Sequence, residues 1–181
     1  MRECLLLYVY KNEREFNIEI LKEVYQDVIV FSTDRILILD LSKIEWDNIF
    51  PAVTSFNTGQ FMVVQYRYLD LLKFAMKNGH KILNIEFHNE IEEKDRKLIN
   101  EVLDFINSDT INPIIKARIF GLLKEELDYH EYERDNCIRS IKIQLDSTVV
   151  EFYNCTRIRF DENISEFDIL IIKNILDSIS D

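Results

Sequence analysis

The stretch RSIKIQLDSTVVEFYNCTRIRF, residues 139–160, decides the fold of this chain. Apolar and polar side chains alternate through RSIKIQL, VVEFY and TRIRF, which is the period of a strand that buries one face. The pattern predicts a three-stranded antiparallel meander. The residues expected on its core face are Ile141, Ile143, Leu145, Ile158 and Phe160, and those expected on its outer face are Lys142, Gln144, Arg157 and Arg159.

A last amphipathic helix is predicted after the meander, over residues 164–179. Glu166 and Asp168 place negative charge in its first turn, where the positive end of the helix dipole favours it. The apolar residues expected to face inward are Phe167, Ile171, Ile175 and Leu176.

Strand patterns also occur in the first ninety residues. CLLLYVY, residues 4–10, predicts a buried strand, and VIVFSTDRILILDL, residues 28–41, predicts a β-hairpin that turns at Ser32–Asp34. KILNIEF, residues 81–87, predicts a short strand. FNIEILKEVYQD, residues 16–27, fits either a strand or a helix, and we favour the helix.

Two shorter helices are predicted between these strands. Ser42 opens a capping box for the first, which should end near Pro51. Thr58 can cap the second, and Gly79 suits its end because glycine readily adopts a left-handed conformation. FMVV, residues 61–64, fits a strand as an alternative to the first turn of that helix.

Two longer helices follow the strand KILNIEF. Asn89 and Glu92 offer a capping box for the first, while Asn112 can cap the second with Pro113 as its first residue. The residues expected to face the core from all the central helices are Phe61, Val64, Tyr68, Leu69, Leu72, Ala75, Met76, Ile91, Leu98, Ile99, Val102, Leu103, Ile106, Ile115, Ile119, Leu122, Leu123 and Leu127.

These elements predict an α+β fold. It has mixed or antiparallel strands near both termini, a central group of amphipathic helices, and a C-terminal meander followed by a helix. Because no linker rich in Gly, Pro or Ser divides the chain, we predict a single domain over residues 1–181. A division into two lobes, residues 1–88 and 89–181, is the alternative.

The composition excludes several classes of function. The chain has 33 acidic and 22 basic side chains, a net charge of −11, which disfavours binding to nucleic-acid phosphates or anionic lipid. The glycines at 59, 79 and 121 form no phosphate-binding loop, so dinucleotide or P-loop nucleotide binding is not expected. The cysteines at 4, 137 and 155 are far apart in the sequence and form no CxxC motif, so neither a zinc site nor a disulfide framework is expected. With no signal peptide and no membrane-spanning run, we expect a cytoplasmic protein.

The segment EELDYHEYERD, residues 125–135, is the main candidate site. A helix would place Glu126 and Glu133 on the same side as His130, at the spacing of metal ligands. Because the set lacks a second histidine, we expect a solvated helix end rather than a metal site, and no cofactor. A second candidate is an acid–base pair of Glu86 and His88, two residues apart on a strand.

We therefore expect a non-enzymatic intracellular protein that binds a protein partner with a basic surface. An inhibitor or immunity-type factor that blocks a nucleic-acid-handling protein would use this kind of charge. The alternatives are an enzyme with a His/Glu site assembled in space, and a structural or oligomeric subunit. No catalytic residue is assigned, and the residues expected to meet the partner are Glu126, Asp128, Tyr129, Glu131, Tyr132 and Glu133.

Overall fold

The computed structural model describes residues 1–9, 28–32, 36–43, 61–63, 67–153 and 157–179. Within these residues, antiparallel strands form one sheet with a group of helices, which confirms the predicted α+β class. The strands are β1 Arg2–Val9, β2 Ile29–Ser32, β3 Ile36–Asp40, β4 Phe61–Val63, β5 Lys81–Phe87, β6 Ile138–Gln144, β7 Val149–Tyr153 and β8 Arg157–Phe160. The helices are α1 Tyr68–Lys77, α2 Glu93–Asn107, α3 Pro113–Glu133 and α4 Glu166–Ile179, with a 3-10 turn at Leu41–Lys43.

The predicted meander forms the centre of the sheet, whose strand order is β2-β3-β1-β8-β7-β6-β5. Phe152 of β7 lies opposite Ile141 on one side and Ile158 on the other, so these three side chains share a face. All five residues expected on the core face of the meander are buried.

Strands from the two ends of the chain pair directly. β1 pairs with β8, where Cys4 lies opposite Ile158, and on its other edge it pairs with β3. The buried N-terminal strand and the β2–β3 hairpin are therefore as predicted. The single-domain interpretation stays a prediction.

The start of α1 corrects the sequence expectation. Phe61–Val63 forms β4 and pairs with β1, and α1 begins at Tyr68 rather than at Thr58. The strand alternative is the one the structure adopts, because pairing with an open edge of β1 outweighs the local helical spacing. The end of α1 is as predicted, since Gly79 has φ of +73°.

The capping predictions for the two longer helices have different outcomes. Asn112 caps α3, because its side-chain oxygen accepts a hydrogen bond from the N–H of Ile114 at 2.8 Å. Asn89 does not cap α2, which has Glu92 at its N-cap position and no side-chain cap. Instead, the backbone N–H of Asn89 donates a hydrogen bond to Oδ1 of Asn136, and the backbone carbonyl of Asn89 accepts one from Nδ2 of the same side chain.

The buried face of α3 differs from the predicted face. Leu123 and Leu127 are buried as expected, but Ile115 and Leu122 are exposed. Apolar residues occur on more than one side of α3, so helical spacing does not determine which side meets the sheet. The same error affects Leu98 of α2 and Phe167 of α4, which are exposed.

The start of α4 depends on polar contacts. The Ser165 hydroxyl accepts a hydrogen bond from the N–H of Asp168 at 3.0 Å and caps the helix. The Asp168 carboxylate is fully buried and accepts hydrogen bonds from the N–H groups of Asp146 and Ser147 and from the Ser147 hydroxyl. This carboxylate therefore fixes the turn between β6 and β7 against α4.

Some predictions fall outside the described residues. These are the helix over 16–27, the helix between 44 and Pro51, the cap at Thr58, the position of Val64 and the surroundings of Cys155. Ser42 is described, and its hydroxyl donates to the Asp40 carboxylate at 2.6 Å. In the part of the chain that the structure describes, no helix combines the length and apolar character needed to cross a bilayer.

Candidate functional site

Helices α2 and α3 form a helical hairpin that carries the candidate site. The two helices are joined by residues 108–112, a connection short enough to make them antiparallel neighbours. Asp95 lies twelve residues before the end of α2, and Glu126 lies thirteen residues after the start of α3. Because each helix rises about 1.5 Å per residue, these two carboxylates reach the same level of the hairpin.

His130 lies between those two carboxylates. Its Nε2 atom is 3.4 Å from Oε1 of Glu126 and 3.7 Å from Oδ2 of Asp95. The side chain is only 3 % exposed, and its ring packs against that of Phe87 with centroids 4.9 Å apart. Among the residues that the structure describes, Nε2 of His130 is the buried side-chain polar atom that lacks a hydrogen-bond partner.

This cluster differs from the one expected from the sequence. Glu126 is adjacent to His130 as predicted, but Glu133 is exposed and lies outside the cluster. Asp95, which was not among the predicted site residues, supplies the third polar side chain. The short connection between the two predicted helices was the available signal, because it brings the first turn of α2 beside the last turns of α3.

The other predicted partner-binding residues lie around the last two turns of α3. Asp128 and Glu131 line a cleft of about 750 Å³, and Tyr132 beside them is 76 % exposed. Tyr129 is exposed, and its hydroxyl accepts a hydrogen bond from Nε of Arg134 at 2.8 Å. The remaining lining residues of the cleft are Arg67, Tyr68, Leu69, His88, Leu127, Cys137 and Ile138.

Apolar side chains are also exposed along the outside of the helical hairpin. Leu98 and Phe105 are exposed on α2, as are Ile115 and Leu122 on α3, by fractions between 45 % and 58 %. Each pair is seven residues apart and so shares one side of its helix. Leu98 follows Asp95 by three residues, and Leu122 precedes Glu126 by four, which places both pairs along the junction of the helices. We call these four residues the outer seam.

The outer face of the sheet carries a row of opposite charges. Lys142 is 2.9 Å from Glu86 and 3.8 Å from Glu151, while Arg159 is 3.6 Å from Glu151 and 3.1 Å from Glu3. Arg157 also meets Glu3, at 3.1 Å. The cations predicted on the outer face of the meander are therefore paired with carboxylates, and Glu151 on the neighbouring strand β7 contacts both Lys142 and Arg159.

The described contacts do not support an acid–base pair of Glu86 and His88. A hydrogen bond from Lys142 holds the pKa of the Glu86 carboxyl below its usual value, although burial opposes the shift. His88 lines the cleft beside α3, and its backbone N–H donates to the backbone carbonyl of Cys137 at 3.0 Å. His80 stacks on Phe74, and burial lowers its pKa. The three histidines thus occupy three separate environments.

Comparison of this chain with protein-family models, with curated proteins and with solved structures gave no match. The features that point to a function are therefore the geometry of the helical hairpin and the charges at its end.

Proposed function

We propose that this protein acts by binding a protein partner through the outside of the helical hairpin. The outer seam would contact apolar side chains of the partner. The acidic end, which we define as Glu125, Asp128, Tyr129, Glu131, Tyr132 and Glu133, would contact its basic side chains. The observation that carries the proposal is the exposure of all four residues of the outer seam.

The outer seam adds little to the stability of the chain itself. About half of the surface of these side chains stays in water after folding, so folding gains only part of the free energy of burying them. Single exposed leucines are common on protein surfaces, but apolar side chains that line up along a junction between helices mark an interaction surface. Phe105 has the ring area typical of a residue that anchors a protein interface.

The acidic end is also unfavourable for the fold. Between Glu125 and Glu133, α3 carries five carboxylates and no lysine or arginine. Glu131 and Glu133 lie in the last turn, where the negative end of the helix dipole repels them. Like charges such as Asp128 and Glu131, three positions apart, repel by a few tenths of a kcal/mol. Positive charge on a partner would relieve this repulsion.

The net charge of −11 favours a basic partner over a second copy of the chain. Tyr132, with 76 % of its surface in water, and Tyr129 provide rigid aromatic contacts within the acidic end. The expected interface thus combines apolar anchors on the outer seam with electrostatic steering from the acidic end.

Affinity capture with matched variants tests the outer seam. We expect Phe105→Ser/Leu122→Ser to retain at least tenfold less of a partner from the native cell extract than the parent protein. The control is Phe167→Ser/Leu170→Ser, because these α4 residues are equally apolar and similarly exposed. Equal retention by the two double variants would contradict the proposal. Capture of a second copy of this chain would contradict a separate partner and would indicate self-association.

Charge reversal tests the acidic end. Replacement of Asp128, Glu131 and Glu133 by lysine should slow association with the captured partner at least tenfold at low salt. Salt should also slow association of the parent protein, because ions screen the steering field. The control carries lysine at Asp161, Glu162 and Asp177, which makes the same change in net charge elsewhere. An association rate that is insensitive to both salt and reversal would exclude steering by this end.

A further inference from the structure

We propose that Asp95, Glu126 and His130 form a binding site for a divalent transition-metal ion such as Zn²⁺ or Mn²⁺. The site goes beyond the proposed partner binding, because it lies on the inner side of the helical hairpin and needs no second protein. It also departs from the expectation of a metal-free helix end. That expectation considered Glu133 as the third ligand, whereas the structure brings Asp95 to this position.

The distances between the ligand atoms suit such an ion. Nε2 of His130 and the nearest oxygens of Asp95 and Glu126 all lie within 4.8 Å of one another. Metal–nitrogen and metal–oxygen bonds of about 2.0–2.2 Å place neighbouring ligands about 3–3.5 Å apart. The observed separations of 3.4 Å and 3.7 Å from Nε2 are close to that range. Small rotations of the carboxylate side chains complete the set.

The unpaired nitrogen of His130 is the independent observation that points to a ligand. Buried polar atoms in proteins have hydrogen-bond partners, and the exceptions occur where an ion or a chemical function supplies the missing interaction. Nε2 is buried and has none, yet it faces two carboxylates. A neutral imidazole whose proton is on Nδ1 directs the lone pair of Nε2 at those oxygens, and a metal ion would convert this repulsion into three attractive bonds.

The donor set determines the class of ion. One imidazole and two carboxylates bind Zn²⁺, Mn²⁺ and Fe²⁺, whereas Ca²⁺ takes six or more oxygen ligands. The side chains of Asp95 and Glu126 are 13 % and 20 % exposed, so the ion can enter from the carboxylate side. Three protein ligands leave at least one coordination position for water or an external ligand.

The competing explanation is a protonated His130 that forms ion pairs with the same carboxylates. Both explanations bring the three side chains together, so direct metal binding must separate them. Protein freed of metal with a chelator and then dialysed is titrated with Zn²⁺ by calorimetry. In parallel it is titrated with Co²⁺, whose visible absorption reports ligands other than water.

We expect one equivalent of Zn²⁺ to bind and Co²⁺ to develop the absorption of a protein-bound ion. His130→Gln should abolish both signals. Asp95→Asn and Glu126→Gln, which keep the side-chain shape, should each weaken Zn²⁺ binding at least tenfold. Glu93→Gln and Glu133→Gln are the matched controls for non-specific attraction to an acidic surface, and their binding should equal that of the parent protein.

Several results would overturn the site. One is an absorption spectrum of Co²⁺ that stays that of the ion in water. Another is equal loss of Zn²⁺ binding in the control variants. Circular dichroism of each variant checks folding, and if His130→Gln unfolds, the two carboxamide variants decide the question. Partner capture by the outer-seam variants is measured separately, so failure of either proposal can be told from failure of the other.

Discussion

Leu122 and Leu123 are adjacent leucines in α3 with opposite roles. Leu123 is 1 % exposed and joins the core, whereas Leu122 is 58 % exposed on the outer seam. Replacement by alanine removes the same atoms from the same helix at both positions. Because leucine and alanine are both good helix formers, the intrinsic change in helix propensity is small and equal for the two. The difference between the variants therefore reports burial alone.

The expected magnitudes follow from that difference. Leu123→Ala loses buried apolar area and leaves a cavity, which costs about 2–5 kcal/mol in the free energy of unfolding. Leu122→Ala should change it by less than about 0.5 kcal/mol, as surface substitutions usually do. For a chain of this length, about 1 kcal/mol corresponds to roughly 2–4 °C, so Leu123→Ala should lower the melting temperature by about 4–20 °C.

Urea unfolding followed by circular dichroism measures both variants against the parent protein. The account predicts a large shift in midpoint for Leu123→Ala, almost none for Leu122→Ala, and unchanged slopes. A larger loss for Leu122→Ala than for Leu123→Ala would mean that α3 presents its other side to the sheet. The outer seam would then be part of the core, and the proposed binding surface would be lost with it.

Three further outcomes follow from buried or paired groups. Asp168→Ala should lower the free energy of unfolding by at least about 2 kcal/mol, because it leaves the N–H donors of the β6–β7 turn without an acceptor. Urea unfolding measures this loss. The folded-state pKa of Glu86 is lowered, chiefly by Lys142, so its stabilising contribution is present above its ordinary value of 4.5 and lost below it. Glu86→Gln should therefore flatten the fall in melting temperature below pH 4.5. Burial raises the pKa of Cys4 to about 12, so a thiol reagent should modify exposed Cys137 and leave Cys4 unmodified until the protein unfolds.

The sequence predicted the sheet better than the helices. Strict alternation in β6 and β8 leaves one arrangement that buries Ile141 and Ile158, so the strand faces were correct. In α3 the apolar residues surround much of the helix, and the period of 3.6 residues does not choose between Leu122 and Leu123. The pairing of Phe61–Val63 with β1 is a contact between distant parts of the chain, which local propensity does not contain.

The candidate site was predictable only in part. The spacing of four residues is enough to predict that Glu126 and His130 lie on the same side of a helix, and the structure brings them together. Asp95 is 35 positions before His130 and joins them through the packing of two helices, so no motif within α3 reveals it. The exposure of the outer seam, including Phe105, depends likewise on how the helices meet the sheet.

Site-specific photo-cross-linking tests the central claim, that the helical hairpin binds a protein partner, most directly. A photoreactive amino acid replaces Leu122 on the outer seam in one variant and Phe167 on α4 in the other, and both are irradiated in the native cell extract. Both positions are 58 % exposed, so chance encounters label them equally. The account predicts a discrete adduct with a basic protein from position 122, reduced by salt, and none from position 167. Equal labelling from the two positions, or an adduct with a second copy of this chain, would contradict it.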